Sequence, residues 1–233
     1  MGARSPLLLV CDHAGRAVPR ALGRLGLPDD AFERHIAWDI GIAPLARRLG
    51  EELVATVIEQ AYSRLVIDCN RAPDHPQSIV EVSDGVEIPG NQEIDAADTE
   101  RRRLAIHAPY HDAIAAELDR RDADGRPTIL ICLHSFTPVM TGFARPWHVG
   151  VLHMGSPLSQ AMLEMLAREP GLIVGDNQPY AMDGSDYTAP RHAVARGRDF
   201  LELEIRQDLI ADPAGQARYA ALLSRLLPLL PLA

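Results

Sequence analysis

The chain has 233 residues, of which 32 are acidic and 23 are basic, so its formal net charge at pH 7 is −9. Every basic residue is an arginine, which excludes chemistry that needs a lysine, such as a Schiff base, a pyridoxal-phosphate anchor or a P-loop. The acidic balance, with no basic run longer than residues 101–103, argues against a general nucleic-acid-binding face.

The composition is typical of one globular domain spanning residues 1–233. Apolar residues make up 47% and charged residues 24% of the chain, and three cysteines are too few for a secreted disulfide scaffold. The apolar run at 6–10 is only as long as a strand and lacks a cleavage-site pattern. No segment approaches the roughly 18–20 apolar residues of a membrane span. We therefore expect a soluble, cytoplasmic protein that binds neither nucleic acid nor a membrane; the pattern does not indicate an oligomeric state.

Short apolar runs alternate with longer helical patterns, which predicts a layered α/β domain. In chain order, the pattern predicts strand 7–11, helix 42–52, strands 54–59 and 64–69, a long loop at 72–91, helix 96–121, strands 128–133 and 148–153, helix 158–168, strand 172–175, a second long loop at 178–190, strand 201–205 and helix 214–227. Long loops in a compact domain are often functional, so both are candidates for lining a site.

Polar side chains follow several of the predicted strands. Asp12 and His13 come after the first strand, Asn70–Arg71 after the third, and His134 after the fourth. In open α/β sheets, ligands collect beyond the carboxyl ends of the strands, so these side chains are expected to share one edge. Two imidazoles, a carboxylate and a cation are the groups that a metal hydrolase needs.

Two histidines do not hold a catalytic zinc, and Asp39, just before a predicted helix, is the third ligand that the sequence offers. The same position also suits a helix N-cap, whose side chain accepts backbone N–H groups. His13 and His134 have an alternative of their own, as buried histidines at strand ends. From spacing alone, both interpretations stay open.

Two rival histidine sites need to be weighed. Cys11 and His13 are two residues apart, as are Cys132 and His134, so a closed Cys₂His₂ zinc site is conceivable. Free cysteines inside apolar runs, however, commonly behave as small hydrophobes. His107 and His111 lie one helical turn apart, but the glutamate of the metalloprotease motif is missing. We interpret that pair as helix-face residues, with His111 turned towards the site.

Taken together, several short motifs resemble the N-formylglutamate amidohydrolase family, which is itself similar to aspartoacylases and zinc carboxypeptidases. The resemblance covers about residues 8 to 210. It rests on DHAG at 12–15, HIAWDIG at 35–41, YSRLVIDCNR at 62–71, PYH at 109–111, LHSF at 133–136, GDNQPY at 175–180 and LEIR at 203–206. It implies a three-layer α/β/α fold around a central mixed, mostly parallel sheet, as in the zinc carboxypeptidases.

The resemblance also implies roles for individual residues. His13, Asp39 and His134 match the ligands of one zinc ion per chain, and Glu204 matches the general base and acid. The remaining matched positions are assigned to the substrate: Arg64, which with zinc would stabilise the oxyanion, Asn70 and Arg71, which would hold a carboxylate, and Arg145 and His192, which lie in site-lining stretches. Strand parity does not separate Glu202 from Glu204, so the assignment of the base rests on the resemblance.

The function expected from these roles is zinc-dependent hydrolysis of the amide or formamide bond of a small anionic N-acyl amino acid, such as N-formylglutamate. The chain departs from the formylglutamate-cleaving members, which open with Pro-His and have longer middle loops. Two alternatives stay open. One is a carboxypeptidase-like peptidase or cell-wall amidase on the same scaffold; the other is a non-catalytic protein that binds a metal or an anion.

Overall fold

The computed structural model describes residues 5–231. Its strands are β1 (Leu7–Cys11), β2 (Thr56–Glu59), β3 (Val82–Ser83), β4 (Val86–Glu87), β5 (Ile129–Phe136), β6 (Val139–Met140), β7 (Phe143–Ala144), β8 (Val149–Leu152), β9 (Val174–Asp176) and β10 (Phe200–Arg206). Its α-helices are α1 (Ile42–Leu53), α2 (Ala96–Arg102), α3 (Ala108–Ala123), α4 (Pro157–Ala167), α5 (Thr188–His192) and α6 (Pro213–Leu226). A turn of π-helix, Arg103–His107, joins α2 to α3.

Six strands form the central sheet, in the order β2-β1-β5-β10-β8-β9. The first four run parallel to one another, whereas β8 pairs with β10 in the antiparallel sense and β9 runs parallel to β8. The predicted α/β fold with a mixed, mostly parallel sheet is therefore confirmed. The two remaining strand pairs, β3–β4 and β6–β7, are small separate hairpins.

Both faces of this sheet are buried, which explains why β1 reads as a continuous apolar run. Successive residues of β1 point to opposite faces: Leu7 and Leu9 pack in one core with α1, α4 and α6, and Leu8 and Val10 pack in the other. The second core contains Ile114 of α3 and apolar side chains from the irregular segments 25–37 and 65–69. The result is three layers, with the sheet in the middle.

The predicted strand at residues 64–69 is wrong. Leu65 and Ile67 are buried as the apolar pattern demands, but the backbone turns instead of extending. Its amides bond to other loops: Arg64 N donates to Ala37 O (3.2 Å), and Asp68 N donates to Ser78 O (2.7 Å). A short apolar run predicts burial and does not by itself specify an extended backbone.

Several predicted boundaries also shift. Val54 adopts a left-handed conformation (φ 49°) that closes α1, so β2 begins two residues later than predicted. β5 continues to Phe136, so His134 lies inside this strand and not beyond its end. None of the helices described between residues 5 and 231 combines the length and apolarity needed to cross a bilayer.

Candidate active site

A cavity of about 340 Å³ opens where β1, β5 and β10 carry their polar residues. Its walls are mostly polar. The residues lining it are His13, Asp39, Arg64, Asp68, Asn70, Arg71, Gln77, His134, Ser135, Leu152, Tyr180, Ala181, Asp183, Ser185, Asp186, Glu202 and Glu204. The sheet edge therefore gathers the side chains that the sequence predicted there, together with residues from the second long loop.

A larger groove of about 490 Å³ lies elsewhere, against α6, between residues such as Leu172, Tyr219 and Leu222. It contains no cluster of metal-capable side chains. Among the described residues, the group of side chains that could hold a metal lines the smaller cavity.

His13, Asp39 and His134 converge in this cavity, with one potential ligand atom from each lying within 4.8 Å of the others. All three are at most 5% exposed. His13 follows β1, His134 lies in the neighbouring strand β5, and Asp39 is tied to them because its backbone N donates to His13 O at 2.9 Å. Two imidazoles and a carboxylate at this spacing fit a divalent metal such as zinc.

The helix-cap alternative for Asp39 is wrong. Helix α1 begins at Ile42, and its N-cap is Gly41, with no side-chain cap bond. The Asp39 carboxylate instead accepts hydrogen bonds from the Arg64 guanidinium at Oδ1 and from Ser135 N at Oδ2, the latter at 3.1 Å. These two donors fix the plane of the carboxylate and keep Oδ2 beside the histidines.

Each of the two histidines has a second carboxylate behind it. His13 Nε2 lies 2.7 Å from Asp68 Oδ1, and His134 Nε2 lies 3.3 Å from Asp12 Oδ2. Their Nδ1 atoms face Asp39 Oδ2, at 3.6 Å and 3.2 Å respectively, and His13 Nδ1 is buried without a hydrogen-bond partner. Metal-binding histidines characteristically give their other ring nitrogen to a carboxylate, and an unpartnered buried nitrogen on the inner side suits a ligand.

Burial and these neighbours shift the pKa values of both histidines in opposite directions. Burial lowers the pKa of His13 to about 4, helped by the positive charge of Arg64 and only partly opposed by Asp68. Burial also disfavours charge on His134, but the hydrogen bond with Asp12 and the charge of Glu202 outweigh it and raise the pKa of His134 to about 9.

Asp12 and Asp68 remain ionised although Asp12 is buried and the Asp68 side chain is only 13% exposed. Burial alone would raise both pKa values, but the hydrogen bonds and charges of His134 and His13 hold them well below the ordinary aspartate range. Asp12 Oδ1 also accepts from Thr188 Oγ1 at 2.7 Å, and Asp68 Oδ1 from Asn70 N at 2.8 Å.

Glu202 and Glu204 project from the same face of β10, as the predicted alternation requires. Glu204 is paired in register with His134, whereas Glu202 is paired with Cys132, one side-chain repeat further from the carboxyl edge. Burial raises the pKa of Glu204, and it raises that of Glu202 to about 8. Glu204 Oε2 is buried without a hydrogen-bond partner, beside the positive charges of Arg64 and Arg145.

Asn70 and Arg71 both line the cavity, but the Asn70 side chain is occupied by hydrogen bonds within the protein, whereas the Arg71 side chain is partly exposed. Asn70 Oδ1 accepts from the backbone N of Tyr187 and of Thr188, each at 3.0 Å, so it anchors the start of α5. Arg71 Nη1 donates to Asn70 O (2.9 Å) and to Ser185 O (3.3 Å). Its side chain is 23% exposed, so Arg71 still presents part of its guanidinium to the cavity.

The family model for N-formylglutamate amidohydrolase matches residues 5–211. This chain belongs to the N-formylglutamate amidohydrolase family. A gene product of Agrobacterium tumefaciens of known crystal structure is similar in fold, with a TM-score of 0.93 and 40% identity over 97% of this chain and 90% of that one. The N-formylglutamate amidohydrolase of Ralstonia eutropha JMP134 shares the fold at 20% identity, with a TM-score of 0.73 over 97% and 92% of the two chains. A comparison with curated proteins gives no match.

Two residues that the family resemblance assigns to the substrate lie outside the cavity lining. Arg145 stacks over the Tyr180 ring at 4.7 Å and donates from Nη1 to Tyr180 Oη at 2.8 Å, so it supports a residue that does line the cavity. His192 is buried behind the wall, where its Nε2 lies 2.9 Å from His111 Nδ1. His111 in turn contacts Cys69 O at 2.9 Å and not the cavity.

The alternative of a closed zinc site formed by Cys11, His13, Cys132 and His134 is wrong for this member of the N-formylglutamate amidohydrolase family. Cys11 packs in one core layer and Cys132 in the other, on opposite faces of the sheet. Within residues 5–231, the metal-capable group is the one formed by His13, Asp39 and His134.

Sequence reasoning missed the roles of Asp12 and Asp68. Both stand inside the motifs that carry the family resemblance, next to His13 and in the 62–71 segment, so a signal was present. Their residue type alone did not reveal that each lies behind one histidine.

Proposed function

We propose that this chain is a metal-dependent amidohydrolase that cleaves the amide bond of an N-formyl or N-acyl amino acid. The observation that carries the proposal is the convergence of His13, Asp39 and His134, with a carboxylate behind each histidine, beside the unpartnered carboxyl of Glu204. Membership of the N-formylglutamate amidohydrolase family supports the reaction class.

His13, Asp39 and His134 would hold the metal, which we propose to be one zinc ion per chain. The residues fit it because the donor atoms are of the types that zinc prefers and because His13 Nδ1 has no protein partner. When bound, zinc supplies a Lewis acid that polarises a carbonyl and makes water acidic at a pKa of about 7.

Glu204 is proposed as the general base and acid. It lies at the level of His134 in the sheet, and burial raises the pKa of its carboxyl towards the range in which a proton is accepted and released at neutral pH. In this role, Glu204 takes a proton from the attacking water at its free Oε2 and then delivers the proton to the leaving amine.

The arginines are proposed to act on the substrate's oxygens. Arg64 orients Asp39 and, from the same wall, donates to the carbonyl oxygen as negative charge develops on it. Arg71 binds a carboxylate of the substrate through its exposed guanidinium edge. Asn70 contributes by anchoring the 187–188 segment, and Arg145 by holding Tyr180 at the cavity wall.

The test uses protein that has been incubated with zinc and freed of excess metal. Two quantities are measured: the zinc content per chain, and the release of amine from N-formyl amino acids, N-acetyl amino acids and short peptides. We expect Glu204→Gln to keep its zinc and lose about 10²–10⁴-fold in kcat, the usual contribution of a general acid–base residue. His134→Ala should lose both zinc and activity, and Glu164→Gln, on the exposed face of α4, should change neither.

Near-full activity of zinc-loaded Glu204→Gln would refute the assignment of the base. Stoichiometric zinc without amine release from any substrate would favour the non-catalytic binding alternative. Cleavage of peptides in preference to N-acyl amino acids would favour the peptidase alternative.

A further inference from the structure

Thr188, at the start of helix α5, contacts a carboxylate that lies behind one of the proposed metal ligands. The residue is fully buried and is not part of the cavity lining. Its Oγ1 donates a hydrogen bond to Asp12 Oδ1 at 2.7 Å, and Asp12 Oδ2 lies 3.3 Å from His134 Nε2. A line of contacts therefore leads from the Thr188 hydroxyl through the Asp12 carboxylate to the imidazole of His134.

The Thr188 hydroxyl holds Asp12 more firmly than His134 does. The distance of 2.7 Å is typical of an O–H···O hydrogen bond, whereas 3.3 Å is longer than a typical N–H···O bond. Asp12 is only 1% exposed, so bulk water does not orient its carboxylate. The direction of this carboxylate, and with it the position of Oδ2 beside His134 Nε2, therefore depends on Thr188.

The helix in which Thr188 lies does not use its hydroxyl. The N-cap of α5 is Tyr187, and this end of the helix has no side-chain cap bond. A hydroxyl has one proton to donate and an ionised carboxylate only accepts, so the hydrogen bond between Thr188 and Asp12 has a fixed direction. Helix capping, a common reason for a threonine at a helix start, thus does not explain this residue.

The backbone of Thr188 is itself held by Asn70. Asn70 Oδ1 accepts from the backbone N of Tyr187 and of Thr188, each at 3.0 Å. The backbone N of Asn70 donates to Asp68 Oδ1 at 2.8 Å, and the same oxygen lies 2.7 Å from His13 Nε2. One residue therefore connects the supports of both histidines, and the start of α5 is fixed relative to the site.

We propose that Thr188 is a positioning residue for the metal site, because its hydroxyl orients Asp12 and Asp12 orients the imidazole of His134. This inference rests on the proposed function and adds to it a buried residue from the second long loop. Outer partners of metal ligands typically contribute about 10–100-fold to metal affinity. Thr188 acts one contact further from the metal than Asp12 does, so we expect its contribution at the lower end of that range.

The experiment measures zinc affinity by competition with a chelator of known affinity. Thr188→Val removes the hydroxyl and keeps the size of the side chain, so we expect zinc affinity to fall about tenfold. Thr188→Ser keeps the hydroxyl and should stay within about twofold of the wild type. An affinity of Thr188→Val within about twofold of the wild type, or equal losses in the two variants, would overturn the proposal.

A buried threonine at the opposite end of the sheet gives the matched control. Thr128 is 9% exposed, precedes β5, and directs its hydroxyl to Arg126 O at 3.3 Å. Thr128→Val should leave zinc affinity unchanged, and a loss equal to that of Thr188→Val would attribute the effect to general destabilisation. If Thr188→Val does not fold, Thr188→Ala, which places no methyl group against the carboxylate, is compared with Thr188→Ser instead.

A double-mutant cycle tests the route through Asp12. Asp12→Ala removes the acceptor of the Thr188 hydroxyl, so adding Thr188→Val to it should lower zinc affinity by less than about twofold. Residues that act through the same contact are non-additive in this way. A full further loss of about tenfold in the double variant would show that Thr188 acts by another route and would overturn the proposal.

Amine release separates this inference from the reaction itself. Release of amine by the wild type, with unchanged zinc affinity in Thr188→Val, would keep the proposed function and refute the role of Thr188. A loss of affinity in Thr188→Val, with no amine release by the zinc-loaded wild type, would refute the reaction and keep the role of Thr188. A wild-type protein that binds no zinc would refute both.

Discussion

His13 and His134 each present Nδ1 to Asp39 and turn Nε2 towards a second carboxylate. For His13 this pairing fixes the tautomer, because Nε2 donates to Asp68 and the unpartnered Nδ1 keeps its lone pair. His134 differs in that its Nδ1 also hydrogen-bonds Asp39 Oδ2, at 3.2 Å. At the scale of single residues, the site is thus organised by two aspartates that do not themselves belong to the converging group.

The contribution of Asp68 can be measured by Asp68→Asn. The amide keeps the size of the side chain but weakens the orientation of His13, so we expect zinc affinity to fall about 10–100-fold. The measurement is competition with a chelator of known affinity. Asp74→Asn, at an exposed position of the same loop, is the matched control and should not change the affinity. An unchanged affinity in Asp68→Asn would mean that the aspartate does not support His13.

At the scale of elements, segment 64–69 carries Arg64 and Asp68 to the cavity without being a strand. Arg102 of α2 holds this segment from behind. It is 5% exposed and donates to Val66 O (3.0 Å), Asn91 Oδ1 (2.6 Å) and Gly90 O (2.9 Å). The guanidinium therefore holds the segment directly at Val66 O and indirectly through Asn91, whose Nδ2 donates to Leu65 O at 2.9 Å.

Replacing Arg102 by an apolar side chain should lower the stability of the protein. Arg102→Met leaves two buried acceptors and one partly buried acceptor without their donor, so we expect the free energy of unfolding to fall by about 2–4 kcal/mol. Denaturant unfolding gives the value. Arg101→Met, one position earlier and largely exposed, is the control and should cost less than about 1 kcal/mol. Equal effects of the two substitutions would contradict this account of the segment.

Much of the element pattern follows from the sequence, because helices and buried strands have distinct periods. The strand at 7–11 and the amphipathic α1 are confirmed for that reason. Residues 64–69 are not, because their burial comes from tertiary contacts and their backbone bonds go to Ala37 and Ser78, which no local pattern specifies. The converging His13, Asp39 and His134 could be anticipated from the strand ends and the family resemblance. The partnership of Asp12 with His134 requires the three-dimensional register.

At the scale of the whole molecule, buried neutral histidines make stability depend on pH. Burial lowers the pKa of His111 to about 3 and that of His192 to about 4, whereas a histidine in the unfolded chain titrates at about 6.5. Between about pH 6.5 and pH 4, the unfolded state therefore binds protons that the folded state excludes. Stability from this pair is complete above pH 6.5 and decreases as the pH falls.

The test compares the slope of unfolding free energy against pH in the wild type and in His192→Gln. We expect the slope of the variant between pH 6.5 and pH 5 to be shallower, with a difference of about 1–2 kcal/mol accumulated at pH 5. His75→Gln, in the loop at 72–91, should retain the wild-type slope. A wild-type slope in His192→Gln would show that His192 is not excluded from protonation in the folded state.

Because β8 runs antiparallel to β10 and β5, the segment that joins β5 to β8 stays at one edge of the sheet, where its length can change. Strand β5 leaves the sheet at the cavity edge, and β8, running the opposite way, enters at that same edge, so residues 137–148 never cross the molecule. Their hairpin, β6–β7, carries Val139 and Phe143 on its outside, 53% and 62% exposed, and is followed by Arg145, which holds Tyr180. Insertions in this hairpin can lengthen the rim, and deletions can shorten it, without disturbing the sheet register. It is the natural place to graft new loops when redesigning what enters the cavity.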